Sequence, residues 1–541
     1  MAIKETLDSA TRYRTTRKIL PKTTAVEPTI SKLSIIDATT ARFTFTGAVW
    51  FYDKSNHTQP SCSDFFDVLS TTLSETLDDY PHFAGQLQWA TPELVRHDAV
   101  PRHLGRPVVH HGSPDDPGVE FILAENGHKL HDVVRSREDR ATTLKEWDAT
   151  NFDQDEFLPK TKLSLSSLRA VEKGLPSMAI QLTAFGCGGF SIGALISHPL
   201  ADAVCLVNFM HSWAARSRCH LDPSSASPPI PKPLFDPSLL DRVAGLKPNS
   251  APDPIRVARA RSLPMHRFDW WAEDAPGYLP AFKPSSLATM PPPDELAETQ
   301  LSPSTFPPWP TWDMTAPVDH VQIRFSSAEL GRMKKAAQES LPDEMAGLRV
   351  SRLDAALAHI WTLITRARRH SNPEEQVYLN ITLGLRARVD PPLPETFVGS
   401  PLLLCYVEKS AEESATARLG PIAGAIRETM SRFTPDAVAA YVHDAAHEVS
   451  PQRLWQAFLG TRHTGVTSWV RARTYELDFL GAGELARYVH AIMPLIDGLV
   501  HVNDVADTGD LIVGVCVQRE VMERVLADPL LREYEVARNR T

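Results

Sequence analysis

The chain has 541 residues, 43% hydrophobic and 23% charged, with 56 basic against 66 acidic side chains and a net charge of −10. That composition excludes a disordered chain, and the length exceeds one ordinary core, so two domains are expected. The acidic balance excludes a general electrostatic attraction to nucleic acid or anionic membrane.

No run reaches the roughly 18 apolar residues of a membrane helix. The most apolar region, Met178 to Met210, is interrupted by Gln181, His198, Pro199 and Asp202. Met1 to Leu20 lacks the apolar core of a secretory signal. The six cysteines, Cys62, Cys187, Cys205, Cys219, Cys405 and Cys516, form no Cys-x-x-Cys pair and no Cys/His cluster. Reduced thiols in a cytoplasmic protein are expected, with no zinc site and no disulfide framework.

In chain order, Phe66, Leu69, Leu73 and Leu77 recur at helical spacing and predict a helix over Phe65–Tyr80, stopped by Pro81. Alternating Met178, Ile180, Leu182 and Ala184 predict a strand over Ser177–Phe185, and Ser191–Ser197 reads as a second. Helical spacing returns over Ala203–Arg216. Between Pro223 and Pro317 lie 21 of the 44 prolines. Proline removes amide donors, so this stretch is expected to lack regular helices and sheets and to cross between two domains, 1–222 and 318–541. In the second half, Arg352–Arg369 and Gly420–Phe433 read as helices, and Val377–Leu383 and Leu511–Val517 as strands. Mixed elements without a regular βαβ rhythm predict a layered α/β fold with mixed or antiparallel sheets.

The first chemical candidate is His198-Pro-Leu-Ala-Asp202. A histidine at a strand end has a near-neutral pKa and suits a general base. Asp202 stands where the next helix begins, the place of an N-cap. The spacing alone is weak, because His-x-x-x-Asp also occurs at His111/Asp115 and His128/Asp132. A second candidate overlaps the first. Gly189-Phe-Ser191-Ile-Gly193 matches the Gly-x-Ser-x-Gly elbow of serine hydrolases, but the residues that follow read as a strand where that motif needs a helix. His443 and His447 share helical spacing without an obvious third metal ligand. No glycine-rich phosphate loop is present.

A longer run carries more. Gln181-Leu-Thr-Ala-Phe185, Cys187-Gly-Gly189, His198, Asp202, Phe209 and Trp213-Ala214 together resemble the signature of the BAHD acyltransferases. Further matches follow in order: Leu73-Ser74, Leu77 and Tyr80 to Leu87; Asp354 to Trp361; Arg386-Ala-Arg388, Pro391 to Pro394 and Phe397-Val-Gly399; Thr467-Ser-Trp469; and Asp478 to Gly483. The resemblance runs from about Ser31 to about Asp528. The long linker and looser C-terminal motif look more like the fungal branch, which includes trichothecene acetyltransferase-like proteins.

The resemblance implies two similar chloramphenicol-acetyltransferase-like domains, each a mixed sheet flanked by helices, with a channel between them. It implies His198 in that channel as the base for an acceptor hydroxyl, with N-acylation open. The co-substrate would be an acyl-CoA, acetyl-CoA foremost, and the acceptor a small specialised metabolite. No bound cofactor or metal is implied, and a cytoplasmic monomer is. Asp202 would hold the His198 loop by pairing with an arginine, Arg386 first and Arg388 second. Asp478, in a degenerate version of the family's Asp-Phe-Gly-Trp-Gly motif, would support the domain interface without performing chemistry, with Gly481 beside it as a further supporting residue. The chain departs from the family at Ala203, Ser400, Leu480 and Ala482. A serine hydrolase using Ser191, and a cyclase or binding protein that keeps the fold, are the alternatives.

Overall fold

Two large sheets carry the molecule, and their strand order shows how the halves interlock. The computed structural model describes residues 10–23, 27–43, 45–55, 60–99, 101–140, 144–165, 173–223, 230–247, 250–416, 418–481, 483–505 and 508–535. Ala482 lies outside them.

The first sheet has six strands in the order Thr11–Ile19, Val119–Asn126, Met178–Phe185, Phe190–Ser197, Phe45–Tyr52 and Tyr488–Ala491. All neighbours are antiparallel except Val119–Asn126 with Met178–Phe185. The second sheet has seven: Leu402–Ser410, Gln376–Gly384, His463–Ser468, Leu499–Asp504, Leu511–Gln518, Val318–Phe325 and Glu146–Asp148. His463–Ser468 runs parallel to both of its neighbours. Each sheet borrows one edge strand from the other half of the chain: Tyr488–Ala491 joins the first and Glu146–Asp148 the second. Pulling the halves apart would therefore break backbone ladders as well as side-chain packing.

The helices cover the outer faces. Cys62–Leu77 opens with the Ser61 hydroxyl accepting from the Asp64 amide at 3.2 Å and buries Phe65, Phe66, Leu69, Leu73 and Leu77. It ends three residues before the predicted Tyr80, because Tyr80 takes a non-helical conformation ahead of Pro81, where a one-turn 3₁₀ helix begins. Its neighbour Ala203–Leu221 packs alongside, with the Trp213 indole donating to the Leu69 carbonyl at 3.1 Å. On the second sheet, Arg352–Arg368 is held by a capping box of Ser351 and Asp354.

The proline-rich crossover is more regular than its composition predicts. It carries short helices at Ser238–Arg242, Pro254–Arg261, Lys283–Leu287 and Pro293–Glu298. Three of the four place proline in the first turn. There the missing amide costs nothing, since no intrahelical acceptor exists for it. The crossover is also bound down. Arg453, 1% exposed, donates to Asp269, Glu448, Ser302 and Ser304. Trp270, Trp309 and Phe458 form a separate aromatic core beneath it.

Candidate active site

The strand Phe190–Ser197 delivers His198 to the seam between the halves. Pro199 closes a single 3₁₀ turn over His198–Leu200, and the chain then extends to Asp202, which caps Ala203–Leu221. The Asp202 carboxylate accepts from the Cys205 amide at 2.9 Å, and from Arg386 Nη1 and Nη2 at 2.5 and 3.0 Å. The Arg386 guanidinium also reaches the Phe397 carbonyl at 3.0 Å. Arg388 instead bonds the carbonyls of Met430 and Phe433 and leaves Asp202 alone. Both ends of the ion pair are buried, so its two parallel hydrogen bonds fasten the His198 turn to the Phe397–Ser400 segment of the second half. The Asp202 amide adds a bond to the Gly399 carbonyl at 3.0 Å.

Ser400 completes the clamp and touches the imidazole. Its hydroxyl lies 3.0 Å from His198 Nδ1 and donates to the His198 carbonyl at 2.6 Å. A hydroxyl has one proton. With that proton on the carbonyl, Ser400 can only accept from Nδ1, so Nδ1 carries the hydrogen and Nε2 carries the lone pair. Nε2 has no hydrogen-bond partner among the described residues. The Ser400 amide donates to Asp37 Oδ1 at 2.6 Å, and Asp37 is itself in a capping box with Ser34. Burial pushes the Asp37 carboxyl up to about 7, against the hydrogen bonds from Ser34 and Ser400. Gly399 has φ +145°, and a Cβ there would sit 2.9 Å from Asp37 Oδ1, so the residue next to Ser400 must be glycine.

Loss of hydration pushes the His198 imidazole down to about 4, opposed by its bond within its own backbone and by the charge of Asp202. The ring is therefore neutral throughout the physiological range. Phe43 packs on it with centroids 5.3 Å apart, and Trp455 packs edge-on to Phe43 at 5.2 Å. Beside them lies a small recess lined by Thr40, Phe43, Thr382, Leu402, Leu404 and Trp455. The arrangement offers one unprotonated ring nitrogen, with Phe43 both packing on that ring and lining a mostly apolar recess, and such a nitrogen suits proton abstraction from a hydroxyl or amine.

Other sequence candidates fall elsewhere. Asp478 accepts from the amides of Leu480, Gly481 and Gly483 and so folds its own turn. Gly481 has φ +95°, which glycine adopts without strain. That turn is tied through Arg218 and Ser217 to the far end of the helix capped by Asp202, roughly 24 Å from it at 1.5 Å per residue. Ser191 is not on an elbow. It lies inside Phe190–Ser197, paired to Thr183 and Phe51, fully buried, with no partner for its hydroxyl. The Gly-x-Ser-x-Gly match fails because a strand, not a helix, follows the serine. His443 and His447 hydrogen-bond to backbone groups, and no cluster of three metal-ligating side chains occurs among the described residues. Asp37, Phe43 and Trp455 escaped the sequence reading. Ser34-x-x-Asp37 has the spacing of a capping box, but nothing local says that its carboxylate reaches a residue 363 positions away.

The model of the Transferase family matches residues 13–256 and 274–529. The acyltransferase AFT15-1 of Alternaria alternata is 26% identical over 483 residues, covering 86% of this chain and 85% of its own. The acyltransferase abl6 of Leptosphaeria maculans is 23% identical, covering 93% and 94%. Among solved structures, TRI101 of F. graminearum, complexed with coenzyme A and T-2 mycotoxin, shares the fold with a TM-score of 0.63 at 15% identity, covering 94% of this chain and 99% of its own. Vinorine synthase matches with a TM-score of 0.60 at 17% identity, covering 95% and 96%.

Proposed function

This chain is an acyltransferase of the BAHD family, on its fungal branch, and from that premise we propose that it transfers the acyl group of an acyl-CoA to a hydroxyl of a small specialised metabolite, with His198 as general base and acetyl-CoA as donor. One observation carries the reading: the Ser400 hydroxyl spends its proton on the His198 carbonyl and so leaves His198 Nε2 free to accept one. Both fungal relatives are acyltransferases, which supports the reaction class. The coenzyme A in the TRI101 complex supports the thioester co-substrate.

In this mechanism His198 Nε2 takes the acceptor proton as the oxygen attacks the thioester carbonyl. The imidazolium so formed is held in place by Ser400 at Nδ1 and favoured by the Asp202 charge behind the turn. The tetrahedral oxyanion then collapses, the carbon–sulfur bond breaks, and His198 returns its proton to the CoA thiolate. No covalent enzyme intermediate is required, so buried Ser191 has no part. Arg386 and Asp202 act through the position of the His198 turn. Asp478 and Gly481 act through the fold of the 478–483 turn.

A pKa near 4 lets His198 stay unprotonated at neutral pH, at the cost of driving force for proton transfer. A cytoplasmic monomer belongs to the same reading. The cytoplasmic part of that reading is supported by six cysteines that form no disulfide. The test is release of free thiol from acetyl-CoA across a panel of alcohols and amines. Acceptor-dependent release is expected. Release without regard to acceptor, or none with any acceptor or longer acyl donor, would refute the reading.

A further inference from the structure

Away from His198, one buried cation lacks a counter-charge. Arg140 is 6% exposed and lies where Glu146–Asp148 crosses to the second sheet. Its Nη2 donates to Gln322 at 3.2 Å, and its guanidinium lies over the Tyr488 ring at 3.9 Å and near Trp147 at 5.1 Å. Tyr475 is its other polar neighbour. Nη1 is buried with no hydrogen-bond partner, and no carboxylate among the described residues pairs with this arginine. Taking a guanidinium out of water without a counter-ion is expensive. Nearby Arg324 and Lys145 have carboxylate partners, Asp510 and Glu535.

Arg140, Lys145 and Arg324 together line a small recess. Through Gln322 and Ile512 this recess adjoins a second one, lined by both sheets, that reaches Met493. That second recess holds two more unpartnered polar atoms, His501 Nε2 and Asn503 Oδ1. Strand register gives its direction. Tyr488 pairs with Phe51 and Phe51 with Ser191, whereas Ala491 pairs with Ala48 and Ala48 with Ala194. Moving from Tyr488 to Met493 therefore means moving toward His198.

We propose that Arg140 is the anchor of an anion subsite at the basic end of this seam, taking an oxyanion group carried by one of the two substrates. The proposal rests on the acyltransferase reading for the identity of that substrate. Two sources supply the chemistry: a phosphate of CoA, or a carboxylate on the acceptor. Seven residue steps along the strand lead from Ser191 to His198, roughly 23 Å at 3.3 Å each. That span favours a group far from the reacting carbon, as the CoA phosphates are from the thioester.

The test is calorimetric titration of wild type, Arg140→Gln and Arg140→Lys with CoA, pantetheine, mandelate and 1-phenylethanol. A charged hydrogen bond lost on binding predicts roughly 10- to 100-fold weaker affinity. Weaker CoA binding by Arg140→Gln, with pantetheine unchanged and Arg140→Lys intermediate, assigns the phosphate. Unchanged CoA binding with weaker mandelate and unchanged 1-phenylethanol binding assigns the carboxylate. No weakening of either anion in a folded variant overturns the proposal. Should Arg140→Gln fail to fold, pyrophosphate and mandelate must each be tried on wild type at constant ionic strength; a raised Tm with one supports the subsite, and none with either overturns it. Binding is read without turnover, so a chain that binds CoA through Arg140 yet transfers no acyl group would sink the transferase reading and leave the subsite standing.

Discussion

Replacing Asp202 with alanine should destabilise the fold far more than an ordinary helix cap does. The side chain does two jobs: it accepts the Cys205 amide at the helix start and pairs with Arg386 through two hydrogen bonds. Losing the cap costs about 1 kcal/mol. Leaving Arg386 buried beside no carboxylate costs about 3–5 kcal/mol more. Asp202→Ala is thus expected to lose about 4–6 kcal/mol in guanidinium denaturation followed by tryptophan fluorescence. Arg386→Met alone should cost about as much as the broken pair, since it strands Asp202 instead. The double variant removes both charges and should be less destabilised than the sum of the two by about 2 kcal/mol or more. A loss below about 1.5 kcal/mol for Asp202→Ala, or strict additivity in the double variant, would refute the claim that this pair fastens the two halves at the active site.

Ser400→Ala removes the acceptor for Nδ1–H and frees the imidazole to change tautomer; a loss of about one net hydrogen bond predicts a roughly three- to tenfold lower kcat with the donor KM unchanged, and an unaltered kcat would count against the tautomer argument. Stability should fall as the medium is acidified below about pH 6.5. His198, His320, His463 and His501 are held by burial at about 4, 4, 2 and 3, so only the unfolded chain takes up protons as pH drops from 6.5 toward those values. Asp37, raised to about 7, works in the opposite direction, costing stability as pH rises from its unfolded value toward 7, and Asp116, Asp241 and Asp504 are raised too, but the lowered imidazoles outnumber them, with His211, His266 and His359 also held at about 4, 3 and 4. Denaturation midpoints at pH 8, 6.5 and 5 check the sign, and a midpoint highest at pH 5 would contradict it.

The strands and helices around His198 were legible because their apolar periods are long and unambiguous. Met178–Phe185, Phe190–Ser197 and Ala203–Leu221 follow hydrophobic runs closely, and the helix after His198 starts at Ala203, where the sequence places it. In the crossover proline density does not exclude helices, because Pro254 and Pro293 sit at helix starts that tolerate them. The exchange of Glu146–Asp148 and Tyr488–Ala491 between sheets was not legible. Strands of three and four residues carry no period, and their pairing is fixed by the opposite half. Ser400 illustrates the same limit at the site. In sequence it is a departure from the family's asparagine. Only the fold puts its hydroxyl beside His198 Nδ1 and its amide on Asp37.

The most direct measurement of the central claim is acceptor-dependent thiol release from acetyl-CoA by wild type and His198→Ala, with CoA binding followed in parallel. If His198 is the base, the variant should bind CoA as wild type does and release thiol about 10²- to 10⁴-fold more slowly. A variant that binds CoA and turns over at the wild-type rate would contradict the account.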